Sequence, residues 1–439
     1  MSLFENPFVL ARRVAAWSRA VSVWQKRLRS GDIDPSGPFI GTPELTERDA
    51  FREIRELTAP APIQRAWTRW AFRLTEARVN AGVLSAIAHA YRAERHRIES
   101  PDTLEITLRE LLHNTLERPA ERNVWAAALS ANSTTWRSLT LERAIRSDEI
   151  ARRAGFANAG AIVDPVPDLK TYAERFRNAT DDVYRAIVPL EFDAWLDAAL
   201  ALSANEGWPA QLAPRALCNL LGPRDWVHGL DLAAKELPTP IAAASFARAL
   251  YQLGSALVEA AAPASEPFIL AHDPYGLYRH VVGALCAGLP RSVIWQRDTL
   301  GLSRSKAVNQ ARSLLISQLI YARCCGLSIA LDELACLHRP SFERDFPELC
   351  EHWLGFVLPL GFAGVLPQLR ANAGQRFFGP MLAARLTDEL VTQYDEDWYR
   401  NPRGIEAVRA TFAVNLPTSI EPDVAAAAVD SAAALFNSS

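Results

Sequence analysis

The chain has 439 residues, 49% of them hydrophobic and 22% charged, which gives enough apolar material for a large buried core and excludes disordered, collagen-like and coiled-coil classes. Its 47 basic and 50 acidic residues are interspersed and leave a formal net charge of −3. No basic footprint marks a nucleic-acid partner, so neither DNA nor RNA is expected.

The N-terminus, MSLFENPFVLARRVAAWSRAVSVW, lacks a charged start followed by an uninterrupted apolar core and a cleavage site, so a cytoplasmic location is expected. The first helix carries Arg12, Arg13, Arg19, Lys26, Arg27 and Arg29 beside Trp17 and Trp24, with no acid between Glu5 and Asp32. Basic amphipathic helices sit on membranes or bind acidic partners, although a solvated face anchored by its tryptophans is the ordinary reading. Thr42-Pro43, Ser100-Pro101 and Thr239-Pro240 each set a capping hydroxyl before a proline, which predicts three helix starts. From Pro62 to Ile98 the helical period runs on with only Gly82 inside it, predicting one long helix or two abutting ones.

Breaks are expected at residues 32–42, 164–168, 204–214, 237–240 and 263–274, none of which reads as a linker between independent domains. Cys218, Cys286, Cys324, Cys325, Cys336 and Cys350 show no C-x-x-C spacing and read as reduced, mostly buried thiols. The apolar run from Trp353 to Pro367 is too short for a bilayer and contains Pro359, so no membrane span is expected. Asp395, Glu396 and Asp397 could offer hard-metal oxygens, but a solvated helix end before Asn401-Pro402 is the plainer reading. The Ala-rich tail after Pro422 predicts a last helix. No run alternates like a hairpin strand, no solenoid period appears, and Walker, Rossmann, G-x-S-x-G and EF-hand patterns are absent. The predicted class is all-α, a large single helical body with at most a two- or three-stranded sheet.

One helix carries a stripe that composition does not explain. In FARALYQLGSALVEAAAP, residues 246–263, Phe246, Leu250, Leu253, Leu257 and Ala260 form a buried face, so the helix of residues 245–262 is expected inside the body. Tyr251, Gln252 and Ser255 stand where a zinc peptidase sets the histidines and glutamate of H-E-x-G-H-A-L. Two imidazoles at i and i+4 share one helix face and can bind one ion, while the glutamate polarises the metal-bound water. A neutral phenol, an amide and a serine hydroxyl are poor substitutes. None of the eight histidines forms an i, i+4 pair, and His272 and His280 are eight apart.

Gly254, Ala256 and Leu257, with the following LAHDPYGLYRHVVGAL, resemble the helical gluzincins of the thimet oligopeptidase, oligoendopeptidase F and carboxypeptidase Taq group. His272-Asp273 is similar to the His-Glu that opens the second metal helix of that group, and RFFGPMLAARLTDELVTQYDEDWYRNPRG loosely resembles its C-terminal helices. The resemblance implies one helical domain over residues 1–439, with an N-terminal lobe to about 165 and a C-terminal lobe from about 166, around a deep cleft. It implies a pseudopeptidase without zinc or another cofactor, binding a peptide or peptide-like ligand, with an accessory role to a biosynthetic or regulatory protein partner as one expectation. Two alternatives stand beside it: a metal-independent enzyme using the same cleft, with Tyr251, His272, Asp273, Tyr278 or His280 as acid-base groups, and a scaffold working through the basic first helix. Tyr275, Tyr278 and His280 are expected to line the cleft beside Tyr251. If the motif is a vestigial metal helix, the Tyr251 hydroxyl or Gln252 amide should bond to the 273–280 segment at the floor of the largest pocket, since an unpaired buried polar group costs about 1–3 kcal/mol.

Overall fold

The computed structural model describes residues 6–32, 43–99, 103–210, 212–213, 216–217, 220, 242–261, 267–337, 342–365, 372–412 and 419–437. Helices dominate it. The N-terminal part holds α1 (Pro7–Ser30), α2 (Pro43–Thr46), α3 (Arg48–Glu56), α4 (Ala61–Val79) and α5 (Ala81–Arg92). After a hairpin, β1 (Arg95–Glu99) and β2 (Thr103–Thr107), come α6 (Leu108–Glu117), α7 (Arg122–Asn132), α8 (Thr134–Arg153), α9 (Gly160–Val163), α10 (Leu169–Ile187) and α11 (Phe192–Leu200). The rest comprises α12 (Ala243–Ala260), α13 (Phe268–Ala271), α14 (Leu277–Gly288), α15 (Val293–Leu300), α16 (Arg304–Leu337), α17 (Phe342–Leu354), α18 (Ala373–Tyr394), α19 (Pro402–Phe412) and α20 (Pro422–Asn437).

Local chemistry sets many of these boundaries. Asn6 caps α1 by accepting from the Val9 amide at 3.2 Å, with Pro7 at the first helical position, and Gly31 closes the helix in a left-handed turn. The expected Pro62–Ile98 helix is two abutting helices that meet at Asn80 and stop at Arg92. Residues 95–99 turn instead into β1, which pairs antiparallel with β2 from Arg95 opposite Thr107 to Glu99 opposite Thr103.

That hairpin corrects the predicted helix start at Ser100-Pro101. The dipeptide itself lies outside the described residues, but strands flank it and the next helix begins at Leu108. There the Thr107 hydroxyl accepts from the Glu110 amide while the Glu110 carboxylate accepts from the Thr107 amide, a reciprocal cap that outcompetes an earlier start. The predicted start at Pro43 is observed, and the start at Thr239-Pro240 falls outside the described residues. Residues 164–168 break the helices as expected, ending on Asp168 in a left-handed conformation.

The main apolar core gathers side chains from α6, α7, α10, α12, α14, α15, α16, α18 and α20, among them Leu253, Val282, Trp295, Leu319, Phe377 and Phe436. A second core joins α1, α3, α4 and the end of α8 through Trp17, Phe51, Trp67, Phe72 and Ile150, and it borrows Ile269 and Tyr275 from beyond α12. Cys286, Cys324, Cys325 and Cys350 are buried free thiols. The stretch Arg304–Leu334 is long and apolar enough to cross a bilayer by length and composition, which the sequence reading passed over, and 78% of its most apolar window is buried inside the molecule.

A cavity of about 790 Å³ opens between α4 with residues 156–168 on one side and Ile329, Asp332 and Glu333 of α16 with Asn372 and Ala373 on the other.

Candidate functional site

The stripe on α12 is resolved by what α12 packs against. Phe246, Leu250, Leu253 and Leu257 are buried in the main core, and Tyr251, Gln252 and Ser255 lie half-buried along the neighbouring edge. α14 crosses this edge so closely that a Cβ on Gly254 would stand 2.4 Å from the Val282 carbonyl oxygen, and one on Gly283 would stand 2.9 Å from the Tyr251 carbonyl oxygen. Both glycines are required by that approach.

The crossing brings three of the sequence-predicted residues together. The Ser255 hydroxyl donates to the Arg279 carbonyl at 2.9 Å, and the Tyr251 hydroxyl shares a short hydrogen bond with His280 Nδ1. His280 in turn sets Nε2 3.5 Å from the side-chain amide of Asn372, at the start of α18. Gly379, further along α18, leaves room for the His280 backbone, since a Cβ there would lie 2.8 Å from it. Burial keeps the Tyr251 phenol protonated far above its ordinary range. Burial, followed by the Arg279 and Arg376 charges, holds His280 well below its ordinary value and therefore neutral. Gln252 contributes a buried Oε1 that meets no partner.

His272, Asp273 and Tyr275 go elsewhere. α14 starts at Leu277, so Asp273 and Pro274 precede it rather than open it. Asp273 accepts from Arg69 Nε at 2.9 Å and from the Tyr275 amide at 3.1 Å, with both charged side chains about 3% exposed. The His272 carbonyl accepts from Trp70 Nε1 at 2.8 Å, its ring lies 4.5 Å from that of Phe268, and burial lowers its pKa. Tyr275 is buried in the second core with its hydroxyl 3.5 Å from Glu76. These three residues tie the α12–α14 connection to α4, and Asp273 does not reach the Tyr251 region. Tyr278 packs against the main core.

The cavity of about 790 Å³ is also not floored by Tyr251. Its wall reaches the site only through Asn372, which lines the cavity and touches His280. Sequence reasoning missed the groups that complete the cluster. Arg376 lies one turn beyond Asn372, its amide bonded to the Asn372 carbonyl at 2.8 Å. Tyr321 and Cys325 face it from α16. Tyr321 keeps 38% of its surface accessible. Burial pushes the Cys325 thiol up to about 12.

These donors do not fit a zinc ion. The phenol is protonated and spent on His280, the serine hydroxyl on a carbonyl, and the Arg376 and Arg279 charges stand beside them. Among the described residues no group of three or more His, Cys, Asp or Glu side chains is placed to hold a metal.

No family model matches the chain, and no curated protein matches it. In structure it is similar to Pz peptidase A solved with inhibitor 2, at a TM-score of 0.56 over 89% of this chain and 84% of that one. Sequence identity over the match is 11%, so the likeness shows a peptidase-like helical fold and nothing finer.

Proposed function

We propose that this chain is a peptidase-fold protein that binds a peptide or peptide-like ligand in its cleft without zinc-dependent hydrolysis. The observation that carries the reading is the Tyr251–His280 hydrogen bond. The helix slots of a metal motif hold Tyr251, Gln252 and Ser255, and the crossing helix answers the first of them with an imidazole rather than leaving ligands convergent on an ion. The peptidase-like fold supports a cleft suited to peptides by analogy only, and the cavity of about 790 Å³ has the size of a small-ligand site.

Three measurements on the purified full-length protein test it: zinc content by mass spectrometry, cleavage of a mixed peptide pool with and without chelator, and binding of the same fluorescent pool. The expected result is sub-stoichiometric zinc, no chelator-sensitive cleavage and saturable binding. One zinc per chain with chelator-sensitive cleavage overturns the reading. Chelator-resistant cleavage lost in Tyr251→Phe would instead favour a metal-independent enzyme built on the Tyr251–His280 pair.

A further inference from the structure

Several enclosed arginines of this body are matched by acids. Arg69 meets Asp273 at 2.9 Å, Arg323 meets Asp181 at 3.4 Å, and Arg279 meets Glu259 at 3.1 Å. Arg376 pairs with no carboxylate among the described residues, and its Nε is buried without a hydrogen-bond partner. Its polar neighbours are the hydroxyls of Tyr321 and Tyr251 and the Cys325 thiol, while His280 beside it is neutral. A buried guanidinium Nε–H left unpaired forfeits a hydrogen bond that an incoming anion would supply.

The surroundings give that anion a route. On α16, Tyr321, Cys325, Ile329 and Glu333 recur every four residues and so share one face, and Ile329 and Glu333 line the cavity. On α18, Asn372 and Ala373 line the same cavity one turn before Arg376. Two helices therefore carry the cavity wall towards the guanidinium. The planar fork of arginine matches a carboxylate in two parallel hydrogen bonds.

We propose that Arg376, the Tyr321 hydroxyl and the Asn372 amide form a binding site for a carboxylate of the ligand, entered from the large cavity. The proposal rests on the peptide-binding reading for the identity of the ligand, but the carboxylate chemistry stands on the arginine itself. The carboxylate is either the C-terminus of a peptide or an acidic side chain.

The test uses the full-length protein and four probes: fluorescent tetrapeptide pools with free C-termini, amidated pools with and without Asp and Glu, and benzoate. Wild type should bind the free-acid pool at least about tenfold more tightly than the amidated pool lacking acids, the scale of one charge-assisted hydrogen bond. Retained affinity in the amidated pool containing Asp and Glu assigns the site to side-chain carboxylates. Arg376→Gln should abolish the discrimination, and Tyr321→Phe, which keeps the ring, should weaken only the carboxylate probes. If no peptide pool binds while benzoate raises the wild-type melting temperature and not that of Arg376→Gln, the carboxylate site stands and the peptide reading fails. Equal binding of acid and amide pools, discrimination that survives Arg376→Gln, or no response to any probe overturns the proposal.

Discussion

His280 shows what a single residue contributes once its neighbours are known. Tyr251 from α12, Arg376 and Asn372 from α18 and its own neighbour Arg279 surround it, and burial with the two arginines keeps it neutral in the folded state. An unfolded chain protonates the same ring near the ordinary imidazole value of about 6.5. Because the folded pKa is depressed, the folded state binds fewer protons below that pH, and its stability is present above about 6.5 and lost as the pH falls further, at up to about 1.4 kcal/mol per unit. His272, also lowered by burial, acts in the same direction. Urea unfolding at pH 7.5, 6.5 and 5.5 should show this fall, and His280→Gln should flatten it; an unchanged slope in the variant would count against a neutral buried imidazole. The meeting of Tyr251, Ser255 and the His280 segment was legible because one stripe on one helix pointed at the next helix. Arg376 was not, since its meaning comes from the absence of a paired acid among the described residues, and that cannot be read from a residue whose neighbours, Cys325 to Tyr251, lie 51 to 125 positions away.

At the scale of elements, the α12–α14 crossing is set by two glycines, and it separates close approach from mere helix weakness. Gly254→Ala drives a Cβ to 2.4 Å from the Val282 carbonyl oxygen, which cannot move without shifting α14. The expected loss is about 1–3 kcal/mol, the usual size of an overpacked core. Gly82, near the start of α5, has nothing within 4 Å of its missing Cβ, so Gly82→Ala should stabilise by about 0.5–1 kcal/mol through the unfolded chain and helix propensity. Urea midpoints of both variants check the pair, and a neutral Gly254→Ala would mean that the helices do not touch there. Periodicity made most helices legible, including α12 and α20. It failed at the β1–β2 hairpin, where Ile98, Leu104 and Ile106 alternate for too few residues to outweigh the helical run before them. It also passed over α16, whose residues 322–332 are buried all round.

Across the whole molecule, two apolar cores are joined through the segment that the sequence reading assigned to a metal site. Asp273 binds Arg69, the His272 carbonyl binds Trp70 Nε1, and Tyr275 enters the second core beside Phe72 and reaches Glu76. This segment follows α13 and leads into α14, so the N-terminal helices are fastened to the chain that enters the candidate site. Asp273→Asn keeps the shape but leaves the Arg69 guanidinium, about 3% exposed, without a counter-charge. Breaking a buried pair from one side costs about 3–5 kcal/mol. That cost falls on the junction rather than on the main core, so the second core should open first: calorimetry of the variant should show a new early transition. Hydrogen exchange should then lose protection in α1, α3 and α4 while α10, α16 and α18 keep theirs. Replacing both partners, Arg69→Met with Asp273→Leu, removes the stranded charge and should recover much of the loss. A uniform loss of protection across both cores, or a double replacement no better than Asp273→Asn, would show that the pair does not fasten one core to the other.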